Sequence, residues 1–538
     1  MAVTNAGGGV KWAKVIDQTR CIGCHACTTA CKSENEVPLA VTRTYVKYVD
    51  VGVFPQTRRA FQVTRCNQCD DAPCTTACPT RAMYRRPDGI VDFDKTICIG
   101  CKACIAACPY DAIFINPEDH SAEKCNFCAH RLDMGLEPAC VVVCPTEAIL
   151  VGDLNDPLSK VAQIVNRDAV TVRRPEKETH PKLFYKGAHQ ATLDPIAARR
   201  PGGDLFLWGE QVGGARGGHG AVITSGHPGA WSNSSAAAVL SYDVPHRAPW
   251  DWRVSLYTWT KGIAAGVYLV PFVLALAGQT TWSHPLWLWG APVAGGLFLA
   301  LTGALLIWDL EHPARFHYLF TRPQWKSWLV RGGFLIGAYA LILLIHFVAT
   351  LLGARDVQPG LGILGVPLAV MTAVYTAYLF AQAKARDLWQ NPLMVPHLLV
   401  QAVLAGSALL APFAAWLASI GATGVFGPIA STAPQLPGAG PPHDATWLLL
   451  SIVAVMSGVH LLLVLGESTL THGTAHGRLA AWEMTRGGYA VWFRAGIVLV
   501  LAGVTAPWLG VPAALASLIG VLAHEHAYVQ AGQAVPLA

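Results

Sequence analysis

Sixteen cysteines stand between Cys21 and Cys144, and the 538-residue chain has no others. They fall into four groups of four: Cys21-x2-Cys24-x2-Cys27-x3-Cys31, Cys66-x2-Cys69-x4-Cys74-x3-Cys78-Pro79, Cys98-x2-Cys101-x2-Cys104-x3-Cys108-Pro109 and Cys125-x2-Cys128-x11-Cys140-x3-Cys144-Pro145. Disulfide scaffolds, zinc sites and iron-sulfur clusters all use cysteine at this density, each with its own spacing. Zinc fingers and ribbons set cysteines in separated pairs, and Cys-x2-Cys neighbours do not readily bridge as disulfides. A close triplet followed by x3-Cys instead fits a cubane cluster: a tight turn presents three thiolates to one cluster, and the fourth reaches its neighbour.

Cross-ligation predicts four [4Fe-4S] clusters. Cluster A takes Cys21, Cys24, Cys27 and Cys144; cluster B takes Cys66, Cys69, Cys74 and Cys108; cluster C takes Cys98, Cys101, Cys104 and Cys78; cluster D takes Cys125, Cys128, Cys140 and Cys31. No cysteine is left over. One or two clusters would suffice to staple a domain of this size, so four argue for electron transport. The first group lacks a proline after its last cysteine, having Lys32 there, and the fourth stretches its second gap to eleven residues; neither change removes a ligand. This pattern, with Cys31-Lys32-Ser33-Glu34-Asn35-Glu36-Val37-Pro38 and Cys125-Asn126-Phe127-Cys128-Ala129-His130-Arg131, resembles the four-cluster electron-transfer subunits of the dimethyl sulfoxide reductase, polysulfide reductase and formate dehydrogenase complexes. The likeness covers about residues 10 to 190.

The rest of the chain is suited to another solvent. Of 73 charged residues only 19 lie after Arg253, and apolar runs recur there at about 254–278, 285–307, 328–352, 361–383, 393–420, 445–466, 491–509 and 511–530. Each is near the ~20 residues a spanning helix needs. A wholly soluble protein and a disordered one are both excluded. The 28 basic and 26 acidic residues up to Arg253, and 11 and 8 beyond it, leave neither half as a basic nucleic-acid surface. The expected architecture is multidomain: a ferredoxin-like α+β iron-sulfur domain over 1–200, a Gly/Pro/Ser-rich connector over 201–249, and an all-α eight-helix transmembrane bundle over 250–538. A tether of this kind keeps the last cluster near the membrane at high effective concentration.

Basic residues set the orientation. Arg315, Arg322, Lys326, Arg331, Lys384, Arg386, Arg478, Arg486 and Arg494 lie in or beside the loops after helices two, four and six, against Arg355 alone in the others. Even loops share the side of the amino terminus, so the cluster domain is expected on the cytoplasmic face of a bacterial or archaeal membrane. The absence of a twin-arginine leader ahead of Cys21 agrees with this, although some cluster subunits are exported with a partner that carries the leader.

Ionisable groups at membrane depth are functional candidates, and reducing a quinone needs proton donors beside the electron exit. The candidates are Lys261, Asp309, His312, Arg315, His397, His460 and Glu467. His460 and Glu467, seven residues apart, share a helix face; His346 is expected deeper, in helix three. As plain alternatives, Arg315 is a lipid-interface charge and His397 a satisfied packing histidine. Tyr257-Thr258-Trp259, Gly262-Ile263-Ala264-Ala265-Gly266 and Asp309-Leu310-Glu311-His312-Pro313-Ala314-Arg315-Phe316 resemble the polysulfide reductase membrane-subunit (NrfD-type) family over about residues 250 to 530. That resemblance implies an eight-helix bundle that binds menaquinone or ubiquinone near the cluster side, without haem. The two resemblances together imply a fusion of an electron-transfer subunit with its membrane anchor. They also imply a partner holding molybdenum or tungsten bis-pterin, and the expected cytoplasmic location favours one that oxidises a substrate such as sulfite or formate. No pterin- or dinucleotide-binding fingerprint lies in this chain. An ion-translocating redox module and a passive anchor without a quinone site are the alternatives.

Overall fold

The computed structural model describes residues 9–199, 237–422, 444–470 and 472–538. The cysteine-rich region is built from short pieces of strand and helix. A four-stranded sheet runs in the order Ile149–Asp153, Trp12–Asp17, Leu183–Lys186, Val170–Thr171, and only its central pair is parallel. Thr44–Val51 and Arg58–Arg65 form a long antiparallel pair, and two small hairpins, Met83–Arg85 with Val91–Phe93 and Ile113–Ile115 with Ala122–Lys124, follow the second and third cysteine groups. The expected α+β class is therefore observed.

Most of the stretch read as a connector lies outside the described residues. Its end does not behave as a tether: Val239–Tyr242 pairs antiparallel with Thr44–Val51 as a third strand. Four residues further on, His246 is buried between two carboxylates, with Nε2 3.2 Å from Asp243 and Nδ1 in contact with Asp111. Burial disfavours a charge on this ring, but Asp243 and Asp111 outweigh that cost and raise its pKa to about 9.

The second half is helical. Helix one (Trp252–Leu276), two (Leu286–Trp308), three (Trp328–Leu351), four (Gln358–Gln382), five (Met394–Ala422) and six (Ala445–Thr469) are each long and apolar enough to cross a membrane. Asp251 and Asp444 cap the first and last of these, accepting from the backbone N–H groups of Arg253 and Thr446. Helix two opens with a π-helical stretch, Leu286–Ala294, that contains Pro292; proline has no N–H to give the regular ladder, and the wider turn absorbs the defect. Ala475–Thr485 and Ala490–Val504 meet at 66° and together make a seventh candidate span. The last expected span is the helix Val511–Gln533, helix eight, set off from Ala490–Val504, helix seven, at Gly510, whose φ is 73°. It is the least apolar of the long helices because it carries His524, Glu525 and His526, and among the described residues six or seven spans meet the length and hydropathy requirement where eight were expected.

Helices one and five cross at their glycines. A Cβ on Gly406 would collide with the backbone of Gly266, and one on Gly266 with the carbonyl of Ala402, the close approach that small residues permit between membrane helices.

The cluster domain sits on the end of the bundle where the loops after helices two and four emerge. Ser327 donates to the Ala77 carbonyl at 2.8 Å, the Gln324 N–H to that of Pro79 at 2.9 Å, and Arg315 to those of Lys95 and Cys98 at 3.0 and 2.9 Å. Lys177 pairs with Asp387 on the next loop. This packing can be tested at two points. Gly406→Ala should lower the thermal midpoint of the purified chain by the equivalent of about 1–3 kcal/mol, whereas Gly303→Ala, which meets nothing within 4 Å, should leave it unchanged. The His246 clamp should hold fully below about pH 6.5, the ordinary histidine value, and be lost as pH rises through about 9. Wild-type and His246→Gln thermal midpoints should therefore differ at pH 7 and converge above pH 9.

Candidate functional site

Each cysteine group starts with the same backbone turn. The residue before the second cysteine has positive φ in all four: Gly23 at 72°, Gln68 at 49°, Gly100 at 68° and Phe127 at 66°. This turn folds the triplet inward. The helices that follow are short. Pro73–Ala77 and Ala103–Ala107 stop just before Cys78 and Cys108, because the next residue is a proline that forces its predecessor out of the helical region. Arg81, Asp111 and Glu147, three residues past the last cysteine of their groups, then turn left-handed. Where Lys32 replaces proline, the helix Ala26–Glu34 runs straight through Cys31, and Asn35 at its end donates to the Cys31 carbonyl.

These turns gather the cysteines in four crossed sets. Cys21, Cys24, Cys27 and Cys144 line one cavity, and Cys78, Cys98, Cys101 and Cys104 line another. Cys69 and Cys74 lie in the electrostatic reach of Cys66 and Cys108, and Cys31 in that of Cys125, Cys128 and Cys140. All sixteen are unbridged. Backbone N–H groups already point at the sulfurs, from Ala148 to Cys144 at 3.2 Å, Met83 to Cys78 at 3.4 Å, Gly100 to Cys98 at 3.4 Å and Gln68 to Cys66 at 3.5 Å. Burial drives the free thiols up, Cys27 to about 11 and Cys31 and Cys69 to about 12, so a cation is needed to hold them as thiolates. The donor set fits iron-sulfur ligation.

The four cradles form a line. Cys27 of cradle A lies in the electrostatic reach of Cys140 of D, Cys66 of B in that of Cys125 of D, and Cys104 of C in that of Cys74 of B, which orders them A, D, B, C. Cradle A is at the surface, where Cys24 and Ile22 are exposed. Cradle C is at the membrane half: Arg315 holds the Cys98 carbonyl, and the Trp250 indole N–H donates to the Cys101 carbonyl at 3.2 Å. Trp250 stacks on Trp389 and Phe380, with ring centroids 5.5 and 5.9 Å away. Phe380 lines a pocket inside the bundle together with Thr258, Met394, His397, Gln401, Glu467, His524, Glu525 and Tyr528. One row of aromatic rings thus connects cradle C with that pocket.

Within the pocket His397 is fixed at both nitrogens, by Glu467 at 2.9 Å and by His460 at 2.8 Å. Glu525 accepts from Thr258 at 2.6 Å. Buried carboxylates and imidazoles beside an apolar wall make a site that can orient a carbonyl-bearing ligand and exchange protons with it.

Residues 241–536 match the family model described as polysulphide reductase, NrfD, over more than half of the chain. This polypeptide belongs to that family. Residues 57–154 match a 4Fe-4S dicluster domain and 12–33 a 4Fe-4S binding domain. The chain is 44% identical over 197 residues to a tetrathionate reductase subunit of Salmonella typhimurium, covering 35% of this chain and 77% of that protein. It is 42% identical over 177 residues to a polysulfide reductase chain of Wolinella succinogenes, covering 32% and 93%. To a putative dimethyl sulfoxide reductase iron-sulfur subunit of Halobacterium salinarum it is 40% identical over 216 residues, covering 35% and 82%. This NrfD-family chain is therefore a fusion, an iron-sulfur electron-transfer part continued into a multi-pass membrane part.

The structure divides the candidates read from the sequence. His397 and Glu467 meet in the NrfD pocket, and His460 joins them from behind through His397. Lys261 is fully buried nearby in helix one, where its ammonium donates to Thr376 at 2.6 Å and to the Ala373 carbonyl at 2.8 Å. Asp309, His312 and Arg315 lie at the joint with cradle C instead. Lys102 donates to the Asp309 carbonyl at 2.9 Å, and His312 Nε2 faces Ser121 at 3.3 Å. Burial lifts the Asp309 carboxyl to about 6 against the pull of Lys102 and Arg253. His346 packs apart, 4.6 Å from the Trp287 ring. The sequence reading leaves His524, Glu525 and Gln401 out of the site. The available signal is the run His524-Glu525-His526 in an otherwise apolar segment.

Cradle D differs from the others in its cations. Arg65 donates to Cys140 Sγ at 2.9 Å and Lys14 lies 3.7 Å from the same sulfur. Burial alone would push the Cys140 thiol up, but the two cations bring it down to about 7. Arg65 Nε and Nη2 are buried without an acceptor among the described residues, positioned as donors to a cluster. Arg65→Gln should lower the midpoint potential of one cluster out of the set, by about 59 mV for each tenfold weakening of its one-electron reduction. An electron paramagnetic resonance redox titration reads this directly, and identical titration curves for both proteins would contradict it.

Proposed function

We propose that this chain carries electrons through four [4Fe-4S] clusters, in the order A, D, B, C, between a molybdenum or tungsten bis-pterin catalytic partner docked at cradle A and a quinone in the bundle pocket. The clusters would supply one-electron transfer at fully ligated irons, so the chain's own residues do the rest. The observation that carries the reading is the continuity from Cys101 through Trp250 and Phe380 to the pocket.

In this reading the cysteines of each set hold one cluster, and the backbone N–H groups at their sulfurs soften the charge. Trp250 and Phe380 close the gap to the pocket and keep water out of it. His524, whose two ring nitrogens have no partner among the described residues, offers a hydrogen bond to one end of a quinone head group; beside it His397, held between Glu467 and His460, can pass a proton along that chain, and Glu525, held by Thr258, is a proton donor within the same walls. Lys261, one helical turn from Thr258, supports proton exchange with Glu525. The aromatic and aliphatic wall formed by Phe380, Met394, Leu398 and Val529 suits the ring and tail of menaquinone or ubiquinone. The relatives include subunits of tetrathionate, polysulfide and dimethyl sulfoxide reductases, which supports a catalytic partner of that class. With the basic loops after helices two, four and six on the cluster side, the positive-inside bias favours a cytoplasmic cluster domain, and that side favours a partner oxidising a substrate such as sulfite or formate.

The test uses the intact chain, purified anaerobically and reduced chemically. His397→Ala and Glu525→Gln should each slow reduction of a quinone analogue by at least about tenfold, the scale of losing a positioned acid or base, with iron content and cluster reduction unchanged. Wild-type turnover in both variants would remove the pocket from the scheme.

A further inference from the structure

Three histidines from three different helices meet at the bundle pocket: His397 on helix five and His524 on helix eight line it, and His460 on helix six stands behind them, bonded to His397. They are 4%, 1% and 2% exposed. Their ring centroids form a nearly regular triangle with sides of 4.7, 5.0 and 5.3 Å, and one nitrogen of each lies within 4.8 Å of the others.

That triangle has a specific size. A tetrahedral zinc-type ion binds imidazole nitrogen at about 2.0–2.1 Å, which places each ring centroid about 3.2 Å from the ion and any two centroids roughly 5 Å apart. His397 Nε2 and His460 Nδ1 stand 2.8 Å apart, so an ion between them requires the rings to part by only a few tenths of an ångström.

The polar accounting points the same way. Both nitrogens of His524 and Nε2 of His460 are buried with no hydrogen-bond partner among the described residues, a costly state for imidazoles inside a membrane protein. One hydrogen bond between His397 and His460 leaves His524 unserved. Glu467 accepts at His397 Nδ1, which fixes the tautomer that presents Nε2 inward. A carboxylate behind a ligating histidine is the usual outer support of a bound metal. Three neutral imidazoles without thiolate favour zinc, copper, nickel or iron over magnesium or calcium.

We propose that His397, His460 and His524 bind one divalent transition-metal ion of the zinc class, with the fourth coordination position open to the pocket that His397 and His524 line. Three protein ligands with one open position is the pattern of a Lewis-acid site rather than a closed structural one. At that position the ion would polarise a carbonyl oxygen of the pocket's ligand. This last role rests on the quinone reading above, while the metal site stands on the histidine geometry alone.

The experiment loads the detergent-purified full chain, clusters intact, with Zn2+ and removes the excess. Zinc and iron are counted together, and zinc K-edge absorption reads the ligand atoms. The expected result is about one zinc per chain with a nitrogen shell at about 2.0–2.1 Å and no sulfur at about 2.3 Å, which excludes zinc captured by the cluster cysteines. His460→Leu and His524→Phe should each weaken zinc binding at least tenfold with iron unchanged. Loss of zinc on washing from the wild-type chain, a sulfur shell, or zinc retention in both variants equal to that of the wild type would overturn the site. If a variant does not reach the membrane, the wild-type absorption spectrum decides alone. Zinc retained by a chain that fails to reduce quinone would overturn the quinone reading and uphold the site.

Discussion

Sixteen thiols confined to one small domain cannot be charged together without cations among them, and cannot stay neutral without wasting their chemistry. That constraint organises the iron-sulfur half. Apart from the pair Thr44–Val51 and Arg58–Arg65 the strands are short, and the helices that carry cysteines run from about one turn to nine residues, because their task is to aim sulfur. The left-handed residue before each second cysteine does the aiming, whether it is a glycine, as at 23 and 100, or Gln68 or Phe127. Tertiary contacts hold those two non-glycine residues in a conformation that costs about 1–2 kcal/mol each. Gln68 bridges the Cys125 carbonyl and the Val91 N–H, and Phe127 is packed under the Lys14 ammonium at 4.1 Å.

The same constraint extends to the joint with the membrane. Cradle C is closed on one side by residues of the other half: Arg315 and His312 bind the backbone of its cysteine turn, Glu311 packs on Gly100, and Trp250 reaches the Cys101 carbonyl. The two halves therefore share a core, in which Ile99, Ala103 and Ala107 meet Trp250, Phe380, Trp389 and Tyr528. A shared core fixes the distance between the last cradle and the pocket more rigidly than a linker does. The strand Val239–Tyr242 and the His246 clamp serve the same end from the cluster side.

Much of this is legible in the residues. The cysteine spacing points to the crossed sets that the cradles bring together, because ligation of a cubane is local and its pattern is written in the chain. The helices are legible from hydropathy, with the break at Gly510 and Val511-Pro512 in the expected place. Helix eight is harder to grade because His524 and Glu525, the groups that line the pocket, also lower its apolarity. Which faces meet cannot be read from one sequence. Asp309, His312 and Arg315 look like membrane-site residues because they are ionisable at a helix end. The structure has them spent on the cradle C turn, a pairing of residues some two hundred positions apart. His397 and Glu467, seventy positions apart, need helices five and six to pack side by side before they become one unit. The end of the glycine-rich stretch reads as tether because a four-residue edge strand has too little periodicity to stand out.

The claim at the centre of this account is that electrons placed on the cysteine-held clusters reach the bundle pocket within one polypeptide. The most direct measurement mixes the chemically reduced, detergent-solubilised chain with excess quinone analogue and follows cluster absorbance and quinol together. The account predicts reoxidation of all four clusters with about two quinols formed per chain, since each cluster releases one electron and each quinol takes two. Clusters that remain reduced in the presence of quinone, or that lose their absorbance without forming quinol, would contradict it.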